Sequence, residues 1–278
     1  MKIYDCVTFF NEVDLLKIRL ELLYEHVEKF VICESNFTHS GKPKIYNFER
    51  CREEFSKWSS KIIYLKYEPN IQDLSFEKPT SYDISSDSWK IEVGQRDFIS
   101  SALGDLSDEY LIIQTDVDEI WNPDKLSEIK QASQNFGAVR LGMQLHYFYM
   151  NCRGVGANNS VWAHPFCISS ALLKANPGVS LSGIRTQVNL QALDNVGWHF
   201  SYLGGVDSVV EKIESFAHQE FNQENLKEKS RLSNCINLGI DPYDRAGFQW
   251  AFFHVDSYPS NLARLMKENQ FFLKTILV

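Results

Sequence analysis

Apolar positions in the first third of the chain alternate between two periods. Ile3 to Phe10 is β-branched and aromatic, Leu16, Leu20, Leu23 and Val27 recur at helical spacing, and Phe30 to Cys33 is a short continuous apolar run. That order predicts a βαβ unit. A helix over Phe48–Trp58 and a strand over Lys61–Tyr67 extend it, and Glu68–Ser88 reads as a long loop of the kind that forms a lid or stays unstructured. In a helix predicted over Trp89–Leu103, the residues Trp89, Val93, Ile99 and Leu103 share one stripe with Glu92 and Arg96. A guanidinium there needs an anion, either Glu92 one turn away or a ligand phosphate.

Tyr110 to Thr115 is an apolar strand suited to the middle of a parallel sheet, and it ends in Asp116-Val117-Asp118-Glu119-Ile120. Ligands of open α/β sheets bind beyond the carboxyl ends of such strands, so three carboxylates arrive where chemistry is expected. After Pro123 a helix is expected near Leu126–Ala132. Strands are expected over Ala138–Tyr149 and Val161–Ile168, with antiparallel pairing, and a further short strand over Gly197–Tyr202, then a helix behind Gly204-Gly205 that opens on a Ser208/Glu211 capping box. The tail from Ser260 to Leu273 is amphipathic and suited to packing on the core or on a partner. With neither repeat nor linker, residues 1–278 read as a single α/β domain, its halves meeting near residue 122.

Composition narrows the class. Twenty-eight basic against thirty-six acidic side chains give a net charge of −8, which opposes polyanions and makes nucleic acid an unsuitable partner. Apolar runs never exceed four residues, far short of a membrane span, and Asp5, Asn11, Glu12 and Asp14 interrupt any signal-peptide core. Six scattered cysteines without metal-ligand spacing read as buried free thiols of a reducing compartment.

Two aspartates one residue apart at a strand end repel, and a divalent cation resolves the repulsion. Oxygen ligation suits Mn²⁺ or Mg²⁺ shared with substrate phosphates. A phosphatase-type aspartyl nucleophile uses the same spacing, but it would open the first strand of its domain, whereas this pair follows three strands. His199, in the aromatic strand, is either a satisfied core residue or a third ligand beside Asp116 and Asp118.

Taken together, several blocks resemble glycosyltransferase family 17, the β-1,4-mannosyl-glycoprotein 4-β-N-acetylglucosaminyltransferase group. They are Tyr4 to Glu12, Phe30 to Asn36, Thr38 to Pro43, Gln95-Arg96, Asp116 to Ile120, Leu145 to Tyr149, Gly197 to Tyr202, Lys212 to Ser215 and Ala217-His218. The resemblance implies a GT-A type fold, a mixed sheet flanked by helices. It also implies inverting transfer of a sugar, typically N-acetylglucosamine from a UDP donor, to a glycan hydroxyl. His39 and Lys42 join the donor site on the same ground. Family members commonly carry a membrane anchor, so the chain is expected to be a cytoplasmic enzyme of bacterial or viral type, or a catalytic domain without its anchor. The family pattern has a proline where Trp121 stands.

That chemistry makes two demands. The departing nucleoside diphosphate must be neutralised, which falls to the ion on Asp116 and Asp118 with Arg96 beside it. The attacking hydroxyl must lose a proton, for which Glu119, Asp207, Glu214 and Glu220 are the candidate bases, each more readily read on its own as solvated surface. Asn11, Glu12 and Glu34 at strand ends suit either donor contacts or turn and cap formation. Trp121, Trp162 and Trp198 are available to stack on sugar rings, in an enzyme or in an inert glycan- or nucleotide-sugar-binding module of the same fold.

Overall fold

The computed structural model describes residues 1–103, 109–187 and 189–276. In chain order the amino-terminal half runs β1 (Lys2–Phe9), α1 (Val13–Leu23), β2 (Lys29–Ser35), α2 (Asn47–Arg50), β3 (Ile62–Tyr67), α3 (Asp87–Phe98), β4 (Tyr110–Asp116) and β5 (Glu119–Trp121). The rest is α4 (Leu126–Phe136), β6 (Ala138–Leu141), β7 (Met143–Tyr147), β8 (Cys152–Gly154), β9 (Val161–Trp162), β10 (Phe166–Ser169), α5 (Ser170–Ala175), α6 (Leu181–Thr186), β11 (Gln191–Leu193) and β12 (Gly197–Ser201). After these come α7 (Gly205–Ser215), α8 (Lys229–Leu238), β13 (Trp250–Phe252) and α9 (Ser260–Glu268).

The fold is mixed α/β, as the sequence pattern implies. Seven strands form one sheet in the order β11-β6-β10-β4-β1-β2-β3, where β1, β2, β3 and β4 run parallel and β10 is antiparallel to both neighbours. β1 and β4 are buried on both faces along nearly their whole length, the usual fate of central parallel strands. A second sheet, β13-β8-β7-β12-β5 with β9 on β7, takes over immediately after β4. One apolar cluster runs from Ile3 through Trp121 and Phe200 to Phe272, so both halves share it. Among the described residues no helix is long and apolar enough to cross a membrane. All six cysteines are unpaired and all but Cys51 are buried.

Several local expectations are corrected. The helix over Phe48–Trp58 is one α turn followed by a 3-10 helix over Arg52–Lys61, which places Phe55 and Trp58 three apart on the covered side. On α3 the buried stripe is Ser88, Ile91, Gln95 and Arg96, continued by Ile99, while Val93 is exposed. Its covered face is thus turned toward Gln95, whose amide hydrogen-bonds the carbonyls of Phe9 and Cys33 at the ends of β1 and β2. Pro165, lacking an N–H, splits the Val161–Ile168 strand into β9 and β10. The antiparallel pairing expected between the 138–149 and 161–168 strands is present, β6 with β10 and β7 with β9, and β12 joins β7 in parallel. No capping box opens α7, since Gly204 is its N-cap at φ 96° and Ser208 donates back to the Gly204 carbonyl. The amphipathic tail packs on the protein's own core through Leu262, Leu265, Met266 and Phe272.

His146 on β7 illustrates how the second sheet depends on pH. It is fully buried, with Nδ1 donating to the Gln144 carbonyl and Nε2 accepting from the Tyr258 hydroxyl. Burial lowers its pKa from 6.5 to about 3, so the folded protein keeps it neutral while the unfolded chain protonates it. The stability it contributes is complete above pH 6.5 and falls as pH drops toward 3. Denaturant unfolding between pH 7 and 5 should lose about 2 kcal/mol through this residue, and His146→Gln should remove that part of the slope; an unchanged slope refutes the assignment.

Candidate active site

The Asp116–Glu119 turn is held from below by a buried ion pair. Arg19, on the covered side of α1, is wholly inaccessible. Its Nε and Nη2 bind Asp5 at 2.7 and 2.6 Å, and Nη2 also donates to the Thr115 hydroxyl at 2.7 Å. Nη1 reaches the carbonyls of Asp116, Val117 and Glu119, the last at 2.6 Å. Asp5 in turn accepts from Trp121 Nε1 at 2.9 Å. A buried charge pair persists only when its remaining hydrogen-bonding capacity is met, and here the turn's backbone meets it. Two more bonds fix the loop between the sheets, Val117 N–H to Thr8 O at 3.2 Å and Phe200 N–H to Asp118 O at 2.7 Å.

So anchored, the two carboxylates point to different cations. Asp116 accepts from the Thr8 hydroxyl at 2.7 Å and pairs with Arg96 and Arg185 at 2.8 Å each. Burial works to raise its pKa, but Arg185 and Arg96 outweigh it and hold the carboxyl far below its ordinary range. Asp118 pairs with Lys212 at 2.7 Å and lies 3.4 Å from His199 Nε2; these two overcome the upward push of burial in the same way. Lys212 also donates to the Ser201 hydroxyl at 3.2 Å and lies over the Tyr202 ring. Glu12, which accepts from the backbone N–H groups of Phe10 and Asn11, feels both Lys212 and Asp118. Burial is the main cause of its raised pKa, with Lys212 opposing.

The other sequence candidates divide. Glu119 is fully buried and saturated, held by Arg185 at 2.6 and 3.1 Å, by Trp162 Nε1 and by the Asp116 N–H, so it has no free lone pair for a substrate proton. Glu34 is likewise spent inside the fold, on Lys44, the Tyr64 hydroxyl and the first N–H groups of α2. Asp207 stands exposed on α7 against Lys229. Glu214 pairs with Lys42 at 3.4 Å and Lys227 at 2.9 Å at the rim. His39 binds the Gln95 side chain at 3.1 Å and lies 3.9 Å from Glu92, which itself pairs with Arg96 at 3.1 Å. Asn11 lies at the end of β1 beside Glu12. Glu220, almost buried, binds His218. Trp121 and Trp198 are core residues and offer no ring to a sugar. Arg185 and Lys212 carry much of the site's charge, yet no sequence argument placed either of them here.

Asp116, Asp118 and His199 do not assemble into an ion cage. Asp118 and His199 meet, but Asp116 faces two guanidiniums, and no group of three or more His, Cys, Asp or Glu among the described residues is placed to hold a metal. Every carboxylate of the turn already has a fixed cation, so the donor set does not fit a divalent ion without displacing one.

Two measurements probe this arrangement. Replacing Arg19 by Met strands Asp5 in the core and should destabilise the fold by about 3–5 kcal/mol in denaturant unfolding; a loss below 1 kcal/mol would show that the turn stands without it. In a Mn²⁺ titration without nucleotide, Lys212→Met should gain ion uptake relative to the wild type, because Asp118 is released. Equal uptake by both proteins would mean that Lys212 does not occupy the ion's place.

No curated protein matches the chain. Among solved structures, S. aureus TarS 1-349 aligns at 11% identity and a TM-score of 0.37, covering 88% of this chain and 74% of that one. Its complex with UDP-GlcNAc aligns at 11% identity and 0.39 over the same shares. The family model of glycosyltransferase family 17 matches residues 1–257, nearly the whole length. The chain belongs to glycosyltransferase family 17.

Proposed function

We propose that the protein transfers N-acetylglucosamine from UDP-GlcNAc to a hydroxyl of a glycan acceptor, with inversion at the anomeric carbon. Family membership supports the sugar and the donor. The observation that carries the location is the Asp116–Asp118 turn at the carboxyl end of β4, ringed by Arg96, Arg185 and Lys212. Asp116 and Lys212 are partly exposed, so an incoming diphosphate competes for these cations against carboxylates already fixed in place.

The reaction separates charge. The acceptor oxygen bonds to the anomeric carbon, the bond from that carbon to the β-phosphate oxygen breaks, and its electron pair leaves on UDP. Guanidinium and ammonium groups aimed at that developing charge stabilise it, and their attachment to a rigid turn means little reorganisation at the moment of transfer. Asp116 and Asp118 keep the three cations oriented and limit how tightly the product UDP is held. Each cation is thus shared between protein and donor.

UDP release from UDP-GlcNAc, followed in parallel with GDP-mannose and with or without Mn²⁺, tests the reading. UDP-GlcNAc should turn over, and Asp118→Asn, which loosens Lys212, should slow it about 100-fold. Donor binding without turnover would instead indicate an inert nucleotide-sugar-binding module, and turnover confined to GDP-mannose would overturn the choice of nucleotide.

A further inference from the structure

We propose that His218, oriented by Glu220, is the general base that takes the proton from the acceptor hydroxyl. The inference rests on the transfer reaction proposed above. His218 Nδ1 lies 2.8 Å from Glu220 Oε1. A carboxylate only accepts, so Nδ1 carries the hydrogen and the Nε2 lone pair is left for a substrate proton. Glu220 is 8% exposed, sits in the 3-10 turn Gln219–Phe221, and its Oε2 is buried without a hydrogen-bond partner. A buried carboxylate with an unpaired oxygen is costly, and such groups are retained where they hold another group in position.

Location ties this pair to the donor site. The His218 ring meets Trp89 edge-on at 4.8 Å and Tyr82 at 5.7 Å. Trp89, Glu92 and Arg96 follow one another along a single face of α3, at steps of three and four residues, and Arg96 grips Asp116. Trp89, which the imidazole meets, and Arg96 are thus about two helical turns, ~10 Å, apart along α3. That interval is of the order of one pyranose ring lying between a phosphate and an attacking hydroxyl. The base belongs on the side of the sugar away from the leaving group, and, as the proposed base, His218 is assigned to that side. Glu119, by comparison, lies under the diphosphate end with both oxygens occupied.

In the step, the acceptor O–H bond breaks, the proton passes to His218 Nε2, and the hydroxyl oxygen attacks the anomeric carbon as UDP departs. Glu220 then pairs with the imidazolium. The titratable groups facing the ring are Glu220 and Tyr82, and its other neighbours are the aromatic Trp89, Phe216 and Phe221.

The test uses UDP release from UDP-GlcNAc, with water in the acceptor's place, in the full chain. His218→Asn should lower kcat about 10²- to 10⁴-fold, with UDP binding and the thermal midpoint retained. Glu220→Gln should lower kcat less and move the acidic limb of the pH profile to lower pH, because the imidazolium loses its carboxylate. His254→Asn, which touches a similar but remote surface pair with Asp256, is the control and should leave turnover unchanged. Wild-type rates in His218→Asn, or a Glu220→Gln profile that falls in height without moving, would overturn the base assignment while the transfer reading stands. A wild-type protein that releases no UDP removes both. If His218→Asn fails to fold, the Glu220→Gln profile decides alone.

Discussion

A single buried guanidinium sets the geometry on which the site depends. Arg19 binds Asp5 within the first βαβ unit and spends its remaining donors on the Thr115 hydroxyl and the carbonyls of the Asp116–Glu119 turn, nearly a hundred residues away in sequence. Those carbonyls lie where the chain leaves one sheet for the other, between the last residue of β4 and the first of β5. Without Arg19 they would need water in a place the apolar cluster keeps dry. Trp121 closes the ring by donating to Asp5, so its buried indole serves the anchor and is not exposed to a sugar.

Above that anchor, like charges are crowded and none is left unpaired. Asp116, Asp118 and Glu119 fall within four consecutive positions, and three cations from three separate helices converge on them, Arg96 from α3, Arg185 from α6 and Lys212 from α7. Bringing these helices together is electrostatically favourable only because the turn is acidic, so the acidic motif assembles its own counter-charge. Glu119 contributes from underneath by holding Arg185, and this structural duty is incompatible with the role of base suggested by its position in the motif.

Much of the fold was legible in the sequence, and the limits have physical causes. The βαβ start, the apolar β4 and the acidic turn at its end depend on local periodicity, which tertiary context did not override. The α3 stripe was misjudged by about one position because Trp89 and Val93 are apolar yet packed at or beyond the edge of the covered face, while the polar Gln95 is drawn inward to serve two strand-end carbonyls. A guanidinium on an apolar helical stripe, the signal at Arg96, is equally present at Arg19 between Leu16 and Leu20. Lys212 beside Val209 and Ile213 carries a weaker form of the same signal. Arg185, in a six-residue helix, has too little periodic context to show it. Glu34 was ambiguous in principle, because a carboxylate after a strand serves a ligand or a following helix equally well until the partner's place is known.

The long segment over residues 68–86 gains meaning from what holds it. It has little regular structure, but it is tied at several points: the Ser75 N–H donates to Asp87 at 2.6 Å, Phe76 fills the space over Gly41 that a side chain there would need, and Tyr82 lies against Trp89 and His218. Gly41 has φ 81°, so glycine is required there both by backbone conformation and by the phenyl ring above it. The turn over Thr38–Lys42 is bonded in its turn to the end of α7 through Ser40 and the carbonyls of Glu214 and Ser215. The loop, the Gly41 turn and α7 are therefore linked through direct contacts, and α7 carries Lys212. The contacts that place Tyr82 against His218 are thereby continuous, through the Gly41 turn and α7, with the Lys212 ammonium on Asp118, so these side chains form one connected set rather than independent surfaces.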